Sequence, residues 1–321
     1  MDKKINLLIT GGAGFIGSNL VECFLQDERV ALVRVLDNLS NGCLENIQEF
    51  FDHPRFEFIE GDIRDYETCL KACESIDKIS HQAALGSVPR SIEDPMQSTE
   101  VNILGTVNLM YAAVQQKVER IILAFSSSTY GDHPDLPKVE ENIGKPLSPY
   151  AVTKAAIEQF ADVFGKTYGL NWIGLRYFNV FGPKQNPDNP YAAVIPIFAS
   201  SFKNKNSITI NGDGTTSRDF TYVDNVVHLN DLSLFTTNQS ALYQTYNCAC
   251  GERITLNEVV SKLQNISGNK VEVKYGPQRM GDVLHSQASI QKAKRLLGYE
   301  IKVTFSEGLN KTYQWVGKQF S

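Results

Sequence analysis

No stretch of this 321-residue chain reaches the run of 18 or more apolar residues that a membrane-spanning helix needs. The start, Met1-Asp2-Lys3-Lys4, leads into a five-residue, largely apolar stretch ended by Thr10, too short for the core of a signal peptide. The six cysteines, Cys23, Cys43, Cys69, Cys73, Cys248 and Cys250, have the spacing of neither paired zinc ligands nor a small disulfide scaffold. Free thiols in a reducing cytoplasm are expected. The five histidines are scattered and form no His-Glu-x-x-His pair, so no metal site is expected. Positive charge is not in excess: the formal net charge is −5, which argues against a general nucleic-acid or anionic-membrane binder. An anionic ligand must then be met locally, by Arg, Lys or a helix N-terminus. Internal repeats and low-complexity tracts are also missing.

What remains is an ordinary globular composition with a strong rhythm. Ile5–Thr10, Val30–Leu36, Phe56–Glu60, Lys78–His81, Arg120–Phe125 and Trp172–Tyr177 read as strands. Helical patterns run through Phe15–Gln26, Tyr66–Cys73, Asn102–Gln116 and Tyr150–Tyr168. Such alternation implies βαβ units, an α/β fold with a Rossmann-type, doubly wound parallel sheet. The rhythm breaks after Gly182, where Pro183–Pro190 reads as a loop over a site; helices are expected near Asn225–Phe235 and Leu256–Ile266. Residues 1–182 are therefore expected to form the sheet domain, with crossings from later segments. Residues 183–321 are expected to form mainly a smaller C-terminal α/β lobe.

The first strand runs into Thr10-Gly11-Gly12-Ala13-Gly14-Phe15-Ile16-Gly17. Gly11 permits the tight turn, Gly14 lets a pyrophosphate approach the backbone, and Gly17 allows close helix–strand packing. The helix opening at Phe15 and Ile16 offers free N–H groups and a positive dipole end to that diphosphate. Asp37 closes the second strand, 20 residues after Gly17. There its carboxylate can accept from an adenosine ribose and repel a 2′-phosphate, and Asn38, not Arg, follows it. NAD rather than NADP is the expected cofactor. Asp62-Ile63 and Gln82-Ala83-Ala84 close further strands on the same sheet edge, with Asp62 placed to bond the adenine or merely to cap a loop.

Tyr150 and Lys154 stand four residues apart on one helix and so share a face. A tyrosine is a poor base at neutral pH, and a neighbouring ammonium favours its phenolate. The pair is expected to move a proton.

These residues resemble the extended short-chain dehydrogenase/reductase family, and its nucleotide-sugar epimerases in particular, over nearly the whole chain. Asp37-Asn38-Leu39-Ser40-Asn41-Gly42 resembles their adenosine-ribose loop, and Ser126-Ser127-Ser128-Thr129-Tyr130-Gly131 their catalytic serine segment. Arg176-Tyr177-Phe178-Asn179-Val180-Phe181-Gly182 resembles the segment that meets nicotinamide and substrate, and Arg279-Met280-Gly281-Asp282 a nucleotide-binding Arg-x-Gly-Asp. Longer runs, from His81 to Ser91, Ser127 to Pro134, Gly144 to Tyr150 and Tyr191 to Pro196, are similar to bacterial UDP-N-acetylglucosamine 4-epimerases of polysaccharide biosynthesis.

The resemblance implies that Tyr150 takes the proton from the sugar 4-hydroxyl while C4 gives its hydride to NAD. Lys154 would hold the nicotinamide ribose, and a serine, Ser126 or Ser127, would share the proton and orient O4. It implies a UDP-sugar clamped by Arg218, Arg279 and Asp282, with Thr209 and Asn211 at the uracil. Gly86, Ser87, Ala193, Val194 and Asn179 would line the sugar pocket, with Tyr177 beside the cofactor. Related 4,6-dehydratases carry an Asp-Glu pair where this chain has Ser127 and Ser128, so dehydration is not expected. Ser286 stands where glucose- and galactose-restricted epimerases place a bulky tyrosine, which leaves room for a 2-acetamido group. Pro183-Lys184 and Leu284 depart from the usual residues, and Lys184 is given no catalytic role.

The resemblance also implies a homodimer formed by the Asn102–Gln116 and Tyr150–Tyr168 helices as a four-helix bundle. Two other readings compete. One is an epimerase of UDP-glucose or of a UDP-uronate; the other is a non-catalytic NAD-binding scaffold subunit. A scaffold would let the Tyr–Lys pair decay, and here it stands intact beside its serines.

Overall fold

The computed structural model describes residues 3–187, 192–277 and 284–319. Its first half runs β1 (Ile5–Thr10), α1 (Phe15–Gln26), β2 (Val30–Asp37), β3 (Phe56–Glu60), α2 (Tyr66–Ala72), β4 (Lys78–His81), α3 (Val88–Glu93) and α4 (Pro95–Thr99). Then come α5 (Thr106–Gln115), β5 (Arg120–Ser126), α6 (Pro149–Tyr168) and β6 (Asn171–Tyr177). The second half holds β7 (Val180–Phe181), α7 (Val194–Asn204), β8 (Ile208–Asn211), β9 (Ser217–Arg218), β10 (Thr221–Tyr222) and α8 (Val223–Phe235). It closes with β11 (Gln244–Cys248), β12 (Ile254–Thr255), α9 (Leu256–Ser267), β13 (Val273–Gly276), α10 (Gln291–Leu297) and α11 (Phe305–Gln319).

Seven parallel strands form the main sheet in the order β11-β6-β5-β4-β1-β2-β3. The order reverses between β1 and β4, and open sheets of this kind bind ligands at that switch point. Successive side chains of a strand face opposite ways, so one strand feeds two cores. Leu7 and Ile9 of β1 join α1 and α8 residues such as Phe24 and Leu229 on one face. Leu8 joins Met110 of α5 and Ile157 of α6 on the other. A third core, with Phe181, Phe198, Phe305 and Leu309, belongs to the α7, α9 and α11 segment.

The six expected strands are present, with bounds one residue longer at Asp37, Ser126 and Asn171. The seventh, β11, was not expected. Its Gln-Thr-Tyr-Asn-Cys composition is half polar, and it is a strand because pairing with β6 buries it. Asn247 in it is fully buried, yet its amide accepts from Tyr130 at 2.6 Å and donates to the Lys138 and Ser289 carbonyls at 3.0 Å. The Asn102–Gln116 helix begins instead as a π-helical stretch, Glu100–Gly105, which passes into α5.

Candidate active site

At the switch point, β1 turns into α1 through the glycine segment. Gly11 has φ 68°, and a Cβ there would stand 2.7 Å from the Ala83 nitrogen. The turn therefore lies directly on the Gln82-Ala83-Ala84 segment after β4. A Cβ on Gly14 would stand 3.2 Å from the Gly11 carbonyl oxygen, one on Gly17 only 2.1 Å from it. Gly17 thus packs against the turn itself, whereas Gly12 meets the strand, with Val35 of β2 at 2.6 Å. Gly14 is the helix N-cap and has no side chain to cap with, so the first N–H groups of α1, from Phe15 and Ile16 onward, keep their positive end free for an anion. Gly42 completes the cradle: a Cβ would meet the Ala13 carbonyl carbon at 2.6 Å.

Asp37 is buried at the end of β2, and its carboxylate accepts from the Ala13 and Leu39 N–H groups, each at 2.9 Å. Burial raises its pKa and these two donors oppose the rise. The carboxylate thereby joins the glycine turn to the Asn38–Gly42 loop, where Ser40 donates its N–H to the Asn38 side chain at 3.1 Å. Asp62 is held by Arg64 at 2.7 Å and by Asn38 at 2.8 Å, and the Arg64 hydrogen bonds bring its pKa down to about 2. Ile63 turns its side chain into the core, within 2.6 Å of where a Cβ on Gly105 would stand, and its carbonyl accepts from the Cys69 thiol and the Asn108 amide, each at 3.2 Å.

Ser148 starts α6 by accepting from the Ala151 N–H at 3.2 Å, with Pro149 at the first helical position. That cap fixes Tyr150 in the first turn and Lys154 one turn on. Lys154 is buried, and its Nζ donates to the Ala124 carbonyl of β5 at 2.8 Å, 6.0 Å from the Tyr150 ring. Burial lowers the Lys154 pKa to about 8. The Tyr150 pKa is raised, not depressed: desolvation of the phenol outweighs its hydrogen bond with Ser126. Of the two candidate serines, Ser126 is the one against the phenol, while Ser127 lies in the short turn that follows β5. Ser126 also accepts from the Ser128 N–H at 3.1 Å and hydroxyl at 2.9 Å. Tyr177 donates to Gln82 and receives from Asn230, both at 3.0 Å, which fixes it beside the glycine turn's neighbour.

The other candidate residues lie on the loops after β4 and β6 and on later elements of the chain. Asn179, with φ 36°, donates its amide to the Asp219 carbonyl at 3.0 Å. Arg218 donates to the Ser217 and Leu284 carbonyls at 3.0 and 3.1 Å. Ser286 is half-buried and donates its N–H to the Ser217 carbonyl at 3.0 Å. Thr209 and Asn211 share a face of β8, both beside Gly276 of β13. Ala193 caps α7 and Val194 opens it; Ser87 caps α3 by accepting from the Arg90 N–H at 3.2 Å. Nothing lies within 4 Å of where a Cβ on Gly86 would stand. Lys184 pairs with Glu22 at 2.9 Å, on the back of α1. Arg279 and Asp282, like Tyr191, lie outside the described residues.

Residues 8–312 match the family model described as GDP-mannose 4,6 dehydratase. The chain belongs to this family. The match agrees with the extended short-chain dehydrogenase/reductase motifs. The chain is 34% identical over 310 residues to the UDP-glucose 4-epimerase of Mycolicibacterium smegmatis, covering 96% of this chain and 97% of that one. Among solved structures it is similar to a UDP-N-acetylglucosamine 4-epimerase from Methanobrevibacter ruminantium in complex with UDP-N-acetylmuramic acid. That likeness has a TM-score of 0.93 and 36% identity, over 99% of this chain and 100% of the other. A UDP-glucuronic acid 4-epimerase from Bacillus cereus, in complex with UDP-glucuronic acid and NAD, follows at TM-score 0.91 and 31% identity, over 99% and 100%.

Three residues of this GDP-mannose 4,6 dehydratase family member were not singled out from the sequence. His81 closes β4, its ring held between the Thr10 hydroxyl at 2.6 Å and the Thr106 hydroxyl at 2.9 Å. Asn102, in the π-helical stretch, bonds both backbone groups of Leu85 and the Thr153 hydroxyl, which fixes the Ala84–Gly86 turn against α6. Arg90 donates from α3 to the Asn41 side chain at 3.2 Å, which ties α3 to the loop after β2. Isolated polar residues inside amphipathic patterns carry no sequence signal of this kind.

Proposed function

We propose that this chain, an NAD-dependent UDP-sugar 4-epimerase, interconverts UDP-N-acetylglucosamine and UDP-N-acetylgalactosamine for surface polysaccharide assembly in the cytoplasm. The site fits the cofactor: a glycine cradle with no room for a Cβ at Gly11, Gly17 or Gly42, an uncapped helix end for the diphosphate, and the Asp37 carboxylate against a 2′-phosphate. When bound, NAD supplies the hydride acceptor for C4 and the donor for its return. Tyr150, as its phenolate, takes the O4 proton as the 4-ketone forms, becoming a phenol, and gives that proton back to O4 in the reverse half. Ser126 shares that proton and orients O4. Lys154, one helical turn away, favours the phenolate against the cost of burial. The second lobe, through Arg218, Arg279 and Asp282, holds the UDP while the ketone turns over, and water is kept out meanwhile.

Ser286 carries the choice of sugar. It is small, its N–H is fixed to the Ser217 carbonyl next to Arg218, and a serine there takes less room than a tyrosine beside a 2-acetamido group. Gly86, with open space around it, supports the same reading. The family's dehydratase description is not followed, because Ser127 and Ser128 offer no carboxylates to remove water. Incubation of the enzyme as purified with UDP-GlcNAc, UDP-glucose and UDP-glucuronate, without added NAD, tests this by NMR of each C4 epimer. The acetamido sugar should turn over fastest. Ser286→Tyr should cut its kcat/KM by about 10-fold or more and spare UDP-glucose, the scale of a steric misfit in a pocket. Unchanged acetamido kinetics in that variant would refute the gate.

The dimer rests on the exposed apolar side chains Leu104 of the π-helical stretch, Tyr111 of α5, and Val152, Phe160 and Val163 of α6. Sedimentation at micromolar concentration should show two copies; a monomer there overturns that part.

A further inference from the structure

Asp219 has no part in the proton and hydride chemistry, yet it is fully buried. No cation is paired with it among the described residues. Instead its carboxylate collects three backbone donors: Cys250 at 2.9 Å on one oxygen, Gly251 at 3.0 Å and Ala288 at 3.1 Å on the other. Such a set of N–H groups is what makes an uncompensated buried carboxylate tolerable. Its own carbonyl accepts from the Asn179 side chain at 3.0 Å.

Two of these bonds, those of Asn179 and Ala288, end at or near a candidate substrate residue. Arg218 precedes Asp219 in the chain. Asn179 is bonded to it directly. Ala288 lies two residues after Ser286, whose N–H already meets the Ser217 carbonyl. Gly251, with φ 77°, is further tied to the same segment by Gln287, which donates to its carbonyl at 2.9 Å. Four separate stretches of chain, 179, 217–219, 250–251 and 285–288, therefore meet at Asp219, the last two on its carboxylate and Asn179 on its backbone carbonyl.

We propose that Asp219 is a positioning residue that registers Arg218, Asn179 and Ser286 against one another to receive the uridine diphosphate moiety. The proposal rests on the sugar-nucleotide reading above, but it concerns the nucleotide rather than the sugar. The carboxylate is required, because all three of its partners donate. In Asp219→Asn, an NH2 must face at least one of the three N–H groups, and the Ser286 or the Cys250 stretch is pushed away from Arg218.

The test is calorimetric titration of UDP alone into the purified, full-length enzyme and into Asp219→Asn. UDP affinity should fall about 10-fold or more, the KM of whichever UDP-sugar is turned over should rise in step, and kcat and bound NAD should stay within about 2-fold. A lower melting temperature with unchanged UDP affinity and KM would overturn the proposal and leave Asp219 a merely structural residue. Should the variant not fold, amide exchange in the unaltered enzyme decides: UDP should slow exchange at Cys250, Gly251 and Ala288, and UDP binding without that protection overturns it. Loss of sugar discrimination in the substrate panel would sink the acetamido reading while leaving these UDP titrations unaffected.

Discussion

His81 makes the crevice sensitive to acid. Its Nδ1 meets the Thr10 hydroxyl and its Nε2 the Thr106 hydroxyl, and Thr106 already donates its proton to the Asn102 carbonyl at 2.6 Å. Nε2 must therefore carry the hydrogen and Nδ1 accept, so a second proton has no acceptor. Burial, with the Lys154 charge adding to it, lowers the His81 pKa from 6.5 to about 3. An unfolded chain binds that proton from near 6.5 downward and the folded one does not. The stability is whole above the unfolded pKa and is lost as pH falls towards the folded one. At about pH 5 the loss is about 2 kcal/mol, and it approaches about 5 kcal/mol near the folded pKa, at about 1.4 kcal/mol per pH unit. That is a large share of the roughly 5–15 kcal/mol of an ordinary domain. Asp219 works the other way, because burial raises its pKa to about 7 and protonation on acidification favours the folded state. The two partly cancel in the whole enzyme, so the comparison must be with His81→Gln, which can bond both threonines and does not titrate. Urea unfolding followed by tryptophan fluorescence, at about pH 7.5 and about pH 5, should show the unaltered protein losing about 2 kcal/mol more than the variant. Parallel losses within about 0.5 kcal/mol would refute the buried, neutral histidine.

Two further outcomes follow from the geometry. Gly17→Ala places a Cβ 2.1 Å from the Gly11 carbonyl oxygen, so α1 must move off the turn; the purified variant should carry little or no NAD by absorbance and turn over only when cofactor is added in large excess, if at all. A normally loaded Gly17→Ala enzyme would contradict the cradle. Ser126→Ala should lower kcat by about 100-fold or more, the scale of one proton-handling group, whereas Ser127→Ala should change it by less than about 10-fold. Steady-state kinetics of both variants with their melting temperatures decide this, and the reverse ranking would move the proton relay to Ser127.

Sequence pattern went far on the sheet side. The six strand runs, with the glycine turn after the first and the aspartate after the second, are local signals, and so are the helix caps. The Tyr150–Lys154 spacing likewise needs nothing beyond one helix. β11 was not legible, because its Gln, Thr and Asn make a strand only against β6 and the groups that satisfy Asn247. The Tyr150 pKa was read in the wrong direction for a similar reason. Spacing puts the ammonium on the right face, but where Lys154 points is set by the Ala124 carbonyl, and how dry the phenol is by the packing of β5 on α6.

By itself, then, the chain determined its alternating strands and helices, its glycine turn, Asp37 at the end of β2 and the Tyr–Lys face of α6. All of these are properties of neighbours in sequence, where geometry follows from a period of two or 3.6 residues. Only the tertiary structure decided that Ser126 rather than Ser127 meets the phenol, that His81 is clasped by two threonines, and that Asp219 gathers four stretches of chain. Those depend on groups distant in sequence, such as His81 and Thr10, 71 residues apart, and Ala288 and Asp219, 69 apart, brought together where burial makes each polar group find a partner.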